Sequence, residues 1–254
     1  MKKSDPIYFA IAQIRFNEIN YEHAVGDLKE IFRSFGYPDI KESNQKQIDI
    51  TIQNGLPLPT ERDTKVLSAT NINADEGFIF NNKSLTIQTV NYSSFNDLSQ
   101  KLLKIFSNLP KNISLIERLG YRTLNAFIHR KENTLDSQIS NSVLGLYTSS
   151  GNEFQHNYNE NLCINSDQVH VLSRIIVQNS EVGFPPDINS TSLIKPDVMD
   201  GFKNLHAMVD IDASWTGRSE NNELFLKEQF EKLHTGLKSK LNNIVKEKLW
   251  AHTI

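Results

Sequence analysis

The sequence predicts an α+β protein, mostly antiparallel sheet with helices packed on one face. Three observations predict it. A strand pattern is followed by an amphipathic helix at the N-terminus, at the centre and near the C-terminus. Short period-two segments joined by turn residues lie between these units. Each helical pattern carries one apolar stripe, as a helix resting on a sheet requires. The spacing is too uneven for a repeat array. Two sheet-plus-helix halves, 1–130 and 131–254, each on a ferredoxin-like plan, account for the pattern; one continuous domain is the alternative.

Ile7 to Phe16 is a strongly apolar strand, with Tyr8, Ala10, Ala12, Ile14 and Phe16 on one face and Ile7, Phe9 and Ile11 on the other. Both faces are therefore expected to be covered. Asn20 then caps a helix whose stripe runs Tyr21, Ala24, Val25, Leu28, Ile31, Phe32 and Phe35, and Gly36 with Pro38 ends it. Ile48, Ile50 and Ile52 alternate with polar residues in a half-solvated strand. Asn54 to Asp63, with Gly55, Pro57 and Pro59, reads as a loop. Short strands follow at Val66–Thr70 and Gly77–Phe80, the second turning through Asn81-Asn82-Lys83, where Asn tolerates positive φ.

The central unit spans Ser84 to Ile128. Leu85, Ile87 and Thr89 alternate with Thr86, Gln88 and Val90 in a strand, and Ser94-Phe95-Asn96-Asp97 has the form of a helix start. Phe95, Leu98, Leu102, Ile105, Phe106 and Leu109 make the stripe, Pro110 ends it, and a strand returns from Ile113 to Ile128. Beyond a polar stretch at His129–Ser142, strands are expected at Gly145–Ser149, Glu153–Tyr158, Gln168–Gln178 and Leu205–Ala213, with a long loop from Phe184 to Pro196. After a linker at Gly217, a helix sets Leu226, Phe230, Leu233, Leu237, Leu241 and Ile244 on one seam. Gly236 within it costs about 1 kcal/mol relative to alanine.

A chain of 254 residues with 38% hydrophobic and 22% charged residues is long enough to bury a sizeable core. Its net charge of −3 gives no global attraction to nucleic acid or an anionic membrane. The single cysteine, Cys163, excludes an intramolecular disulfide and a multi-cysteine zinc site; between Leu162 and Ile164 it reads as a small buried hydrophobe. The N-terminus has no apolar core of a signal peptide, and no apolar run spans a bilayer, so a cytoplasmic location is expected.

Arg118-Leu119-Gly120-Tyr121-Arg122-Thr123-Leu124-Asn125 resembles the R-[IVL]-G-x-R-[YF]-[IL]-N strand of a sporadically distributed bacterial family of uncharacterised proteins of about this length. Pro6-Ile7, Tyr92-Ser93-Ser94-Phe95 and Val209-Asp210-Ile211-Asp212 fit the same pattern, so the likeness covers nearly the whole chain. Thr123 departs from it, standing where an aromatic is commoner. The resemblance implies an architecture and a patchy, accessory-gene character of the kind seen in phage defence and toxin–antidote pairs. It implies no activity.

Arg118 and Arg122 share a strand face across Gly120, an arrangement that clamps a phosphate or carboxylate or else pairs with acids on neighbouring strands. Asp210 and Asp212 share a face two residues apart, as Mg²⁺ ligands or as partners for those arginines. Trp215, beside Gly217 and Arg218, is an anchor for a protein partner or a cap on the core. The seven histidines show no zinc spacing, and no Walker loop, G-x-G-x-x-G or G-x-S-x-G occurs, so no cofactor or metal is expected. The leading expectation is a non-enzymatic protein-binding factor of immunity, antitoxin or phage-defence type. A metal-dependent enzyme on phosphate substrates, with Asp210 and Asp212 on the metal and Arg118 and Arg122 on substrate, is the second reading. Nucleic-acid binding through Arg118, Arg122 and Lys131 is the third. Self-association through the C-terminal seam is a further expectation.

Overall fold

The N-terminal strand β1 (Ile7–Phe16) lies in the middle of the sheet rather than at an edge. The computed structural model describes residues 6–53, 56–109, 113–146, 156–188 and 193–246. After β1 come α1 (Tyr21–Ser34), β2 (Asp39–Gln53), β3 (Leu56–Thr70), β4 (Glu76–Asn81), β5 (Ser84–Thr89), α2 (Phe95–Phe106) and β6 (Leu115–Ile128). The chain continues through two single-turn helices, α3 (Leu135–Gln138) and α4 (Asn141–Leu144), to β7 (His156–Ile164), β8 (His170–Ser180), β9 (Asn204–Glu220) and α5 (Glu223–Ile244). All neighbours in the nine-stranded sheet, order β2-β3-β4-β5-β1-β6-β9-β8-β7, pair antiparallel. The helices pack on one side, so the protein is α+β as the patterning predicts.

The strand order β4-β5-β1-β6, with α1 and α2, follows the ferredoxin-like βαββαβ plan, and β2 and β3 form a hairpin inserted into it. The remaining strands are a β7-β8-β9 meander followed by α5, joined to the first part edge to edge at β6–β9. One apolar cluster runs through both parts, from Ala10, Leu28 and Phe80 to Ile211, Phe230 and Ile244.

Local chemistry sets the boundaries. Asn20 caps α1 by accepting from the His23 N–H at 3.3 Å, and Ser94 caps α2 by accepting from Asp97 N–H at 3.2 Å. α2 ends at Phe106, before Pro110, and Leu109 still reaches the core. α5 runs unbroken through Gly236: a Cβ there would stand 3.2 Å from Val171 Cγ2, so the glycine serves a close helix–sheet approach. The seam from Leu226 to Ile244 is buried against the sheet and is not available for a coiled coil. β9 likewise continues through Gly217, which leaves room for the Trp215 ring lying over it.

Four other expectations change. The stretch read as a loop is strand from Leu56 onward. Pro57 and Pro59 are tolerated because β3 pairs with β4 only over Leu67–Thr70, leaving the edge on the β4 side with no ladder to feed along the rest. The turn after β4 is held by Asn81, whose Oδ1 accepts from Lys83 N–H at 2.9 Å, and not by a positive φ. Gly145 closes α4 with φ +62, while 147–149 of the strand expected from it and 153–155 of the next lie outside the described residues. Cys163 is exposed, because β7 is an edge strand whose residues carry little cover.

The face away from the helices is covered over only part of its area. A bulge between Ile7 and Phe9 in the β1–β6 pair brings the adjacent Tyr8 and Phe9 into one cluster with Leu124, Val182 and Met208. Described residues from the segment after β8, Phe184, Ile188, Leu193, Val198 and Met199, roof this cluster. Beyond the roof, among the described residues, the same face carries the exposed Leu162 and Ile164.

Candidate functional site

Four of the five residues singled out in the sequence meet on the face away from the helices. Register explains how. Arg122 lies opposite Asp212 and Leu124 opposite Asp210 in the β6–β9 pair, while Arg174 of β8 lies opposite Asp210 and Glu160 of β7 opposite Arg174. The result is a charged row across four strands.

Asp210 is its buried centre, only 1% exposed. It accepts from Arg122 Nε at 2.7 Å and Nη2 at 2.8 Å, and from Arg174 Nη1 at 3.3 Å. Arg122 reaches outward as well, donating from Nη1 to Asp187 Oδ2 at 2.6 Å and from Nη2 to Asp187 Oδ1 at 3.2 Å. Burial by itself would weaken the protonation of Arg122. The bonds to Asp210 and Asp187 more than offset it and hold the guanidinium above its ordinary value. Asp187 in turn is held below the usual carboxylate range by Arg122. Arg174 closes the row, donating from Nε to Glu160 at 2.8 Å.

Arg118 and Asp212 form a looser pair one step away. Arg118 donates to Gln13 Oε1 at 3.0 Å and stands 3.6 Å from Asp212; their side chains are 28% and 26% exposed. Its guanidinium lies over Gly120, where a Cβ would come within 3.1 Å of Nη1, so the gap expected at this glycine is filled by Arg118 itself. Burial raises the Asp212 carboxyl above its ordinary value, and Arg118 opposes that without reversing it.

This geometry limits the chemistry. Arg122 is committed on both sides to carboxylates, which leaves little of its donor fork for a phosphate. Both oxygens of Asp210 face guanidinium groups, a setting that disfavours a dication. Among the described residues, no group of three or more His, Cys, Asp or Glu side chains is placed to hold a metal ion. Lys131 does not join Arg118: β6 carries the chain ten residues from Arg118 to Ile128, roughly 33 Å of extended backbone, before Lys131 is reached.

Trp215 is elsewhere. It packs against the helix-side core and meets Phe225 edge-on at 5.2 Å, which makes it a cap on the start of α5. Asn125, on the helix side of β6, donates to the Val209 carbonyl at 3.0 Å. Sequence reasoning missed Arg174, Glu160, Asp187 and Gln13. An arginine in the otherwise largely apolar alternation Leu172-Arg174-Ile176 was a legible signal for the first; Asp187, in an irregular segment, offered none.

Scanned against known protein families, the chain matches none, and a search of curated proteins likewise finds no match. No helix among the described residues is long and apolar enough to cross a membrane.

Proposed function

We propose that this chain is a non-enzymatic protein-binding factor of immunity, antitoxin or phage-defence type, engaging its partner on the open part of the sheet face. The observation that carries the reading is a pair of neighbouring apolar side chains on the edge strand: Leu162 is 60% and Ile164 56% exposed on one face of β7. Exposed apolar residues on an edge strand are what a protein that must stay monomeric avoids. Leu172 stands beside Leu162, and the partly exposed Arg118–Asp212 pair borders them, giving an apolar centre with a charged margin. The saturated Arg122–Asp210 pair favours this reading over metal-dependent catalysis. The likeness of the Arg118–Asn125 strand to a patchily distributed bacterial family supports the accessory role.

The test is capture of the tagged chain from its native cells, compared with Leu162→Asp and Ile164→Asp. One stoichiometric protein retained by the wild type and lost by both variants, with unfolding curves unchanged, is the expected result. Retention of that partner by both variants overturns the assignment of this face.

A further inference from the structure

On the opposite, helical side, a cavity of about 280 Å³ opens between the first turn of α2, β6 and α5. Phe95 and His234 form one wall, their rings stacked 4.1 Å apart at an interplanar angle of 10°, and Tyr121 meets both edge-on. Leu237, Leu241 and Ile7 complete the apolar lining, and buried Thr123 supplies a hydroxyl. The volume lies just below the range that holds drug-sized molecules, which sets the scale at a single ring with a short substituent.

The polar groups around this slot are unevenly satisfied. Lys238 borders it and has no ion pair among the described residues, yet it lies close enough to His234 to disfavour protonation there. Burial acts in the same direction and more strongly, so His234 stays a neutral, flat wall at neutral pH. In α2 the Asp97 N–H is taken by Ser94 Oγ and the Leu98 N–H by the Ser94 carbonyl. The Phe95 and Asn96 amides are left without a partner among the described residues. Asp97 is held by Ser93 and by Lys101, which it shares with Glu76, and this offsets part of its charge at the turn. Glu231 also borders the slot but is exposed, where water screens it. Thr123, in the lining and only 1% exposed, accepts from Asn125 Nδ2 at 3.4 Å, which leaves its O–H to donate to a ligand.

From the cavity, the unpaired lysine and the buried Thr123 hydroxyl, we propose that the slot binds a small aromatic carboxylate. The carboxylate meets Lys238 and the free α2 amides, and the ring stacks along Phe95 and His234. Such a site is independent of the partner surface on the other side of the sheet.

The test uses the full chain and three molecules with one body: 4-hydroxyphenylacetate, its amide, and tyramine. Amide-resolved NMR titration is expected to show saturable shifts at Phe95, Asn96 and His234 with the acid, and affinities about tenfold or more weaker for the amide and the amine. Lys238→Gln is expected to bring the acid down to the level of the amide. Leu241→Trp fills the slot and is expected to abolish the shifts; Thr123→Val, which preserves shape, is expected to weaken binding even if the tryptophan variant fails to fold. Absence of saturable shifts at these residues at 10 mM acid, on the order of the weakest useful affinity, overturns the proposal. So does acid affinity unchanged in Lys238→Gln, or a preference for tyramine that Glu231→Gln removes.

Discussion

Replacing Arg122 by methionine tests the central ionic row most directly. Methionine keeps much of the length and apolar stem but removes every donor, so Asp210 stays 1% exposed with only Arg174, at 3.3 Å, for a partner. Removing one member of a buried ion pair costs about 3–5 kcal/mol, because the remaining charge has lost its compensation. Arg174 places the expected loss near the lower end, about 3 kcal/mol. For a chain of this size each 1 kcal/mol moves the melting temperature by about 2–4 °C, so the expected fall is about 6–12 °C. Urea unfolding at pH 7 measures the loss directly. The double variant Arg122→Met/Asp210→Leu removes both charges and is expected to regain most of it, since an apolar pair of similar volume replaces a buried ion pair at little cost. The pH dependence has a definite sign. Arg122 depresses the Asp187 pKa in the folded state, so the stability from that pair is present above the unfolded Asp value and is lost as pH falls through the lower folded value. In Arg122→Met that acid loss is expected to shrink. A single-variant loss below about 1 kcal/mol, the scale of an exposed ion pair, would refute the reasoning. A double variant no more stable than the single would do the same.

Two other titrations point in opposite directions. The Asp212 carboxyl is raised by burial, so the folded state holds a proton that the unfolded state releases, and this residue costs stability as pH rises above 3.8. Asp212→Asn is expected to be more stable than the wild type at pH 7 and to lose that advantage towards pH 4; equal urea midpoints at both pH values would contradict this. His206 is 1% exposed and its pKa is lowered by burial, despite the 2.8 Å bond between Nδ1 and the Asn204 carbonyl. Its contribution is therefore present at pH above the ordinary value of 6.5 and lost as pH falls below it. His206→Gln is expected to be less stable than the wild type at pH 7.5 but to decline less between pH 6.5 and 5.5, and parallel declines would exclude His206 as the source.

What was legible in the sequence were features with a local cause. Asn20 and Ser94 announce helix starts because a side-chain oxygen caps the next turn, and both do so in the structure. The seam of α5 was legible because its period survives whatever it packs on. Register was not. That Arg122 reaches Asp210 while Arg118 reaches Asp212 depends on how β6 aligns with β9, some ninety residues later, and no local pattern encodes that offset. The bulge at Ile7/Phe9 was invisible for the same reason, and it moves Tyr8 off the face that simple alternation assigns to it. The strand character of Leu56–Asp63 was hidden because proline is a reliable breaker only where an N–H is needed. Arg174 was visible as an arginine in a largely apolar strand, but its partners were not.

The two arginines of the β6 motif, alike in sequence, stand on opposite sides of a boundary. Arg122 lies where the irregular segment roofs the sheet, and its guanidinium joins buried Asp210 beneath it to Asp187 in the roof. Tyr8 adds a second fastening, donating to the Gly183 carbonyl at 2.7 Å. The described residues of that segment belong to no strand, and such tethers hold them, because apolar contacts alone do not fix the position of an irregular backbone. Arg118 lies on the other side of Gly120, outside the roof, and its link to Asp212 is longer and partly exposed. One strand motif thus divides its work. Arg122 and Asp210 belong to the architecture that shapes the covered half, while Arg118 and Asp212 remain on the open half beside Leu172 and Leu162. A partner seated on that half would meet the second pair and never touch the first.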